Sequence, residues 1–126
     1  MSYKLNPITK LYENENLNIT FSFNPNFWYT KFYNKNNDLL INYSILIREL
    51  FTFTNYEYND KISVKEAKQL ANCLNEIIPN PDDLESLKKF FSSNENKLEF
   101  LLKIKRYYID NYNYTEADFR ENIKIS

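Results

Sequence analysis

The chain has 126 residues, enough for one domain around a single core and too few for two. Its 43% hydrophobic and 17% aromatic content excludes a disordered chain, and a net charge of -1 lacks the overall positive field of a dedicated nucleic-acid binder. Gly and His are both absent, which excludes the usual glycine-rich phosphate loops and the usual His-based zinc, acid–base and nucleophile-activating sites.

Leu17, Ile19, Phe21 and Phe23 alternate with polar residues, predicting a strand over 17–23 with one buried face. Asn24-Pro25-Asn26 ends it, since Pro25 cannot donate to a ladder. Residues 27–33, with Phe27, Trp28, Phe32 and Tyr33, fit either a short helix or a second strand. Residues 34–38 form a polar loop, with Asp38 placed to cap the next element. Leu39, Leu40, Tyr43, Leu46, Ile47 and Leu50 recur at helical intervals and predict a helix over 39–50. Phe51, Phe53, Tyr56 and Tyr58 suit an extended segment leading to a turn at Asn59-Asp60.

Ser63-Val64-Lys65-Glu66 is a capping box, and Ala67, Leu70, Ala71, Leu74, Ile77 and Ile78 give its helix a buried stripe that Pro79 stops. Pro81-Asp82-Asp83 opens a short helix with Leu84, Leu87, Phe90 and Phe91 inward, before a polar loop at 92–96. A longer helix runs from Leu98 to about Asp110, with Lys105 snorkelling or at its edge. Thr115-Glu116-Ala117-Asp118 caps a last turn carrying Phe119 and Ile123. The sum is α+β: a single helix-rich domain over 1–126 with a small N-terminal β element. All-α is the alternative if 17–23 is an irregular lead-in.

The N-terminus has no apolar stretch of signal-peptide type, and the longest apolar run is broken by Asn42, Ser44 and Arg48, so a cytoplasmic protein that does not span a membrane is expected. One cysteine, Cys73, permits no internal disulfide and agrees with a reducing compartment. Sequons at Asn18, Asn42 and Asn113 carry no weight in a chain this rich in asparagine. The Asn, Lys, Ile, Tyr and Phe bias reflects an AT-rich genome.

Carboxylate pairs occur at Glu13/Glu15, Asp82/Asp83 and Glu116/Asp118, but Asp82, Asp83 and Asp118 fall in first helical turns, where the helix dipole favours negative charge. The 34–38 loop has calcium-ligand residue types without the Gly and the distal bidentate Glu of a calcium loop. Cys73 has no His to activate it and fits a small buried apolar position. No catalytic residue, metal site or cofactor is therefore assigned, and a non-enzyme is expected.

Binding is the remaining class. Glu49, Glu57 and Asp60 stand without a cation between 49 and 60, and Tyr56 and Tyr58 flank Glu57. Tyrosine provides large contact area at low entropic cost, so these five residues form a candidate acidic and aromatic edge for a basic protein partner. Lys97, Lys103, Lys105, Arg106 and Tyr107 form the alternative, a mixture of cations and aromatics suited to nucleic acid or a nucleotide.

Phe21-Ser22-Phe23-Asn24 with Phe27-Trp28, then Tyr58-Asn59-Asp60-Lys61-Ile62-Ser63 running into Glu66-Ala67-Lys68-Gln69-Leu70-Ala71, resembles a family of small bacterial proteins similar to the immunity proteins of polymorphic-toxin systems. That resemblance implies a stoichiometric, antitoxin-like inhibitor that occludes a toxin's active site. A phage-encoded inhibitor of a bacterial defence protein, of anti-CRISPR type, needs the same physical properties and is the alternative.

Overall fold

In a computed structural model of the chain, residues 3–23, 30–42, 46, 49–52 and 64–123 are described. Among them, five short strands, β1 (Lys4–Leu5), β2 (Tyr12–Glu13), β3 (Thr20–Ser22), β4 (Lys31–Tyr33) and β5 (Leu39–Asn42), form an antiparallel meander in sequence order. Later in the chain come the helices α1 (Val64–Ile77), α2 (Leu84–Phe90) and α3 (Asn94–Tyr112), with a 3-10 turn at Glu116–Asp118. The class is α+β, with strands before helices.

Strand register explains the core. Pairings Leu5↔Tyr12, Tyr12↔Phe21, Phe21↔Phe32 and Phe32↔Ile41 align one row of apolar side chains across the sheet. Phe21 stacks on Tyr12 at 4.9 Å and lies 5.6 Å from Phe32. Against this row α1 presents Ala67, Leu70, Ala71 and Leu74, and α3 adds Phe100, Leu101, Ile104 and Tyr108, so the buried apolar residues form one cluster. The small Ala67 and Ala71 let α1 lie close to the sheet.

Turns that would ordinarily use glycine are built from asparagine and one lysine. Lys10, Asn37 and Asn113 all take left-handed backbone, with φ of 64°, 64° and 60°. At the β1–β2 turn, Asn6 Oδ1 accepts from the amides of Ile8 and Thr9 at 2.9 and 3.2 Å. At the β4–β5 turn, buried Asn34 accepts from the amides of Asn36 and Asp38 at 2.9 and 3.0 Å, while its Nδ2 donates to the Pro81 carbonyl at 3.1 Å. The asparagine-rich loop is thus a structural hairpin that also fastens the sheet to the start of α2.

Several boundaries differ from the sequence expectation. Residues 39–42 are strand rather than the start of a helix, because Leu39, Ile41 and Asn42 pair with β4, and helical backbone appears only at Leu46, Glu49 and Leu50 among the described residues of that stretch. Asp38 consequently caps no helix and instead accepts from Asn34 Nδ2 at 3.2 Å. The ambiguous 27–33 segment is strand over Lys31–Tyr33, and the expected 17–23 strand narrows to Thr20–Ser22. The first two strands hold two residues each, too few for alternation to register in sequence.

The longer helix starts at Asn94 rather than Leu98, capped by Ser93, whose Oγ accepts from the Asn96 amide at 3.1 Å, and it extends to Tyr112. Phe91 is only partly inward: it lies past the end of α2, its ring edge-on to buried Phe100 at 4.9 Å yet 37% exposed. Lys105 neither snorkels nor lies at an edge but is buried. The Ser63 capping box, Phe27, Trp28 and the extended segment at Phe53–Asp60 lie outside the described residues.

Candidate functional site

The first turns of α3 place Lys97, Leu98 and Leu101 beside the helical stretch ending at Leu50. Lys97 Nζ forms an ion pair with the Glu49 carboxylate, both side chains keeping part of their surface in solvent. On one side of this pair is an apolar cavity of about 210 Å³ lined by Leu40, Ile41, Leu46, Phe91 and Phe100. On the other is an open hollow of about 560 Å³ walled by Asn94, Leu98, Arg120 and Asn122. Both include Glu49, Lys97 and Leu101, so they form one cleft with the ion pair across its middle. Phe91 and Leu98, each 37% exposed, leave apolar surface at its rim.

The far wall comes from the C-terminal strap, residues 116–123. The Arg120 amide donates to the Leu50 carbonyl at 2.8 Å and the Thr52 amide to the Asp118 carbonyl at 3.2 Å. Between them Phe51 stacks on Phe119 at 5.2 Å, with Tyr108 and Tyr114 completing the aromatic cluster. The strap is therefore zipped to the residues that lead into 53–60.

Of the five residues expected on an acidic edge, Glu49 lies in this cleft, and Tyr56, Glu57, Tyr58 and Asp60 lie outside the described residues. Glu49 is not uncompensated as its sequence neighbourhood implies, because Lys97, remote in sequence, neutralises it. The alternative set does not converge. At about 100° per residue, Lys97, Lys103, Lys105, Arg106 and Tyr107 spread around α3. Lys97 faces Glu49, and Lys103 lies 3.9 Å from Glu99 and 5.5 Å from the Phe90 ring. Lys105 is buried, its Nζ on the Ile123 carbonyl and the Glu116 carboxylate, and Tyr107 meets Tyr112 edge-on at 5.6 Å. Arg106 is exposed.

The reactive residue types have structural positions. Asp83 is the N-cap of α2, accepting from the Ser86 amide at 3.1 Å and the Ser86 hydroxyl at 2.6 Å, and these hydrogen bonds hold its carboxyl below the usual range. Asp118 accepts from the Thr115 amide at 2.8 Å in a capping box. Cys73 is fully buried on α1, and burial, with Glu76 nearby, pushes its thiol pKa well up. Among the described residues no three His, Cys, Asp or Glu side chains gather as a metal site, and no helix is long and apolar enough to cross a membrane.

Two features escaped the sequence. Pairing of Glu49 with Lys97 joins residues 48 positions apart, and no local pattern announces it. Exposure of Phe91 stems from the two serines after it, which end α2 and start α3, a signal the sequence did carry. No family model, curated protein or solved structure matches this chain.

Proposed function

We propose that the protein is a non-catalytic, protein-binding inhibitor, working as the resemblance to immunity proteins implies by covering the active site of a toxin in the cytoplasm. The observation that carries this reading is the cleft at Glu49: a carboxylate between two hollows, rimmed by accessible Phe91 and Leu98. Buried apolar anchors supply affinity at protein interfaces while charge steers association and selects partners; the cleft supplies the apolar surface, and Glu57 and Asp60, a few residues on in sequence, supply the negative charge that Lys97 cancels at Glu49. In sequence it leads directly into Tyr56, Glu57, Tyr58 and Asp60, which extend the acidic and aromatic character. The partner surface is accordingly basic, with an apolar side chain to fill the cavity.

The test is co-purification of the tagged chain from its natural host, comparing wild type with Leu98→Asp and with the pair Glu57→Lys and Asp60→Lys. Wild type should retain one basic protein in stoichiometric amount. Leu98→Asp should weaken it by about 2 kcal/mol, roughly thirtyfold, if Leu98 is an anchor. The charge-reversed pair should slow association more at low salt than at high salt, because steering by exposed charge is screened. Wild-type binding by both variants, with loss on reversing Lys103 and Arg106, would overturn the acidic edge and assign function to the outer face of α3.

A further inference from the structure

Among the described residues, Lys105 is the one charged residue with a fully buried side chain, at 1% exposure. A lone ammonium in a core costs several kcal/mol unless it is paired and hydrogen-bonded, so its partners decide what it does. Its Nζ donates to the main-chain carbonyl of Ile123 and forms an ion pair with the carboxylate of Glu116, while the Phe119 ring lies 5.6 Å from the same nitrogen. Glu116 and Ile123 are the two ends of the strap. One ammonium therefore closes residues 117–122 into a loop, as a disulfide or metal would in another small protein.

Between those ends lie the contacts that build the cleft wall. Arg120 and Asn122 line the polar hollow, and the strap's ladder to Leu50 and Thr52 runs through Asp118 and Arg120. The strap contains no regular helix beyond three residues of 3-10 turn, so its path is fixed by this closure together with the two-rung ladder to Leu50 and Thr52 and the burial of Phe119 and Ile123. Closing a short segment at both ends removes chain entropy that its few internal bonds cannot offset alone.

We infer that Lys105 is a positioning residue: by tying Glu116 to Ile123 it holds residues 117–122 in place as a preformed wall of the Glu49 cleft. The inference rests on the proposed docking role of that cleft for its purpose, though not for its geometry. A preformed wall raises affinity by removing the ordering cost from the binding step.

Amide hydrogen exchange on the free protein tests the tie without any partner. Lys105→Met keeps the length and apolar stem of the side chain, and Glu116→Ala releases one end of the loop from an exposed site while Lys105 keeps its bond to the Ile123 carbonyl. Both should speed exchange at Thr52, Phe119, Arg120 and Ile123 by about tenfold or more, while amides of Leu70 to Leu74 in α1 keep wild-type rates, as expected for a local opening. Unchanged strap exchange in Glu116→Ala would overturn the inference. So would Lys105→Met accelerating α1 and the strap equally, since that would make Lys105 a general core residue. A loosened strap in a protein that still binds its co-purified partner with wild-type affinity would leave the tie standing and remove the cleft as the docking site.

Discussion

Cys73 illustrates how burial decides the chemistry of a residue. Its side chain is fully buried on α1, and loss of hydration raises its thiol pKa far above the ordinary value, so almost no thiolate exists near neutral pH. Native protein should be inert toward a thiol-reactive disulfide reagent and react fully once unfolded. Reaction at the rate of a free thiol under native conditions would show that the α1 packing is wrong. Buried Lys105 is the counterpart, its Nζ met by the Ile123 carbonyl and the Glu116 carboxylate. The sequence supports the first case and misjudges the second: an apolar stripe announces a buried cysteine, whereas the oxygens that accept from Lys105 come from a strap that only folding brings near.

Among the elements, the turns carry the cost of a chain without glycine. Asn37 and Asn113 adopt left-handed backbone comfortably, since their short polar side chains tolerate it, but Lys10 has no such aid. Its amide still donates to the Asn6 carbonyl at 2.8 Å, which glycine would preserve. Lys10→Gly should therefore stabilise the protein by about 0.5 kcal/mol, the relief of left-handed strain exceeding the added flexibility of the unfolded chain. Chemical denaturation measures it, and a loss of stability would mean that the strain is already relieved.

Helices were the more legible elements. A continuous stripe with Pro79 after it defined α1, and Thr115 and Asp118 announced their box. The sheet was less legible because strands of two to four residues cannot display a period, and because Leu39 and Leu40 fit a helix until β4 offers a partner. The site was least legible of all, since it assembles from β5, Leu46, Glu49, α3 and the strap.

At the scale of the molecule, the sheet and α1 are joined through one hydroxyl. Tyr3 donates to the Ile19 carbonyl at 2.9 Å and accepts from Asn75 Nδ2 at 2.8 Å, and Asn75 Oδ1 accepts from the Asn18 amide at 3.1 Å. Tyr3→Phe takes the hydroxyl donor from the Ile19 carbonyl, while Asn75 Nδ2 keeps the Ala71 carbonyl at 2.8 Å, and should cost about 1–3 kcal/mol. Burial raises the Tyr3 pKa above its ordinary 10.0, outweighing the opposing hydrogen bond from Asn75. The folded state thus holds this proton more tightly than the unfolded state. The contribution is complete below pH 10 and declines as pH rises through 10 toward the folded-state value. Tyr112 is also raised by burial, so Tyr3→Phe should reduce the alkaline slope of stability without abolishing it. An identical slope in denaturation at about pH 9 to 11 would exclude Tyr3 from the linkage.

Composition and periodicity by themselves pointed to a folded α+β chain, with all-α left as the alternative, to the helices α1 and α3, and to the lack of residues for His- or Gly-dependent chemistry. These are sums over local choices, and local choices are written in sequence. Tertiary structure alone decided that Glu49 meets Lys97, that Lys105 turns inward to tie the strap, and that Leu98 stays at the rim of a cleft. Charge compensation and exposure depend on which distant segments become neighbours, and strand register with helix packing sets that only when the whole chain is assembled.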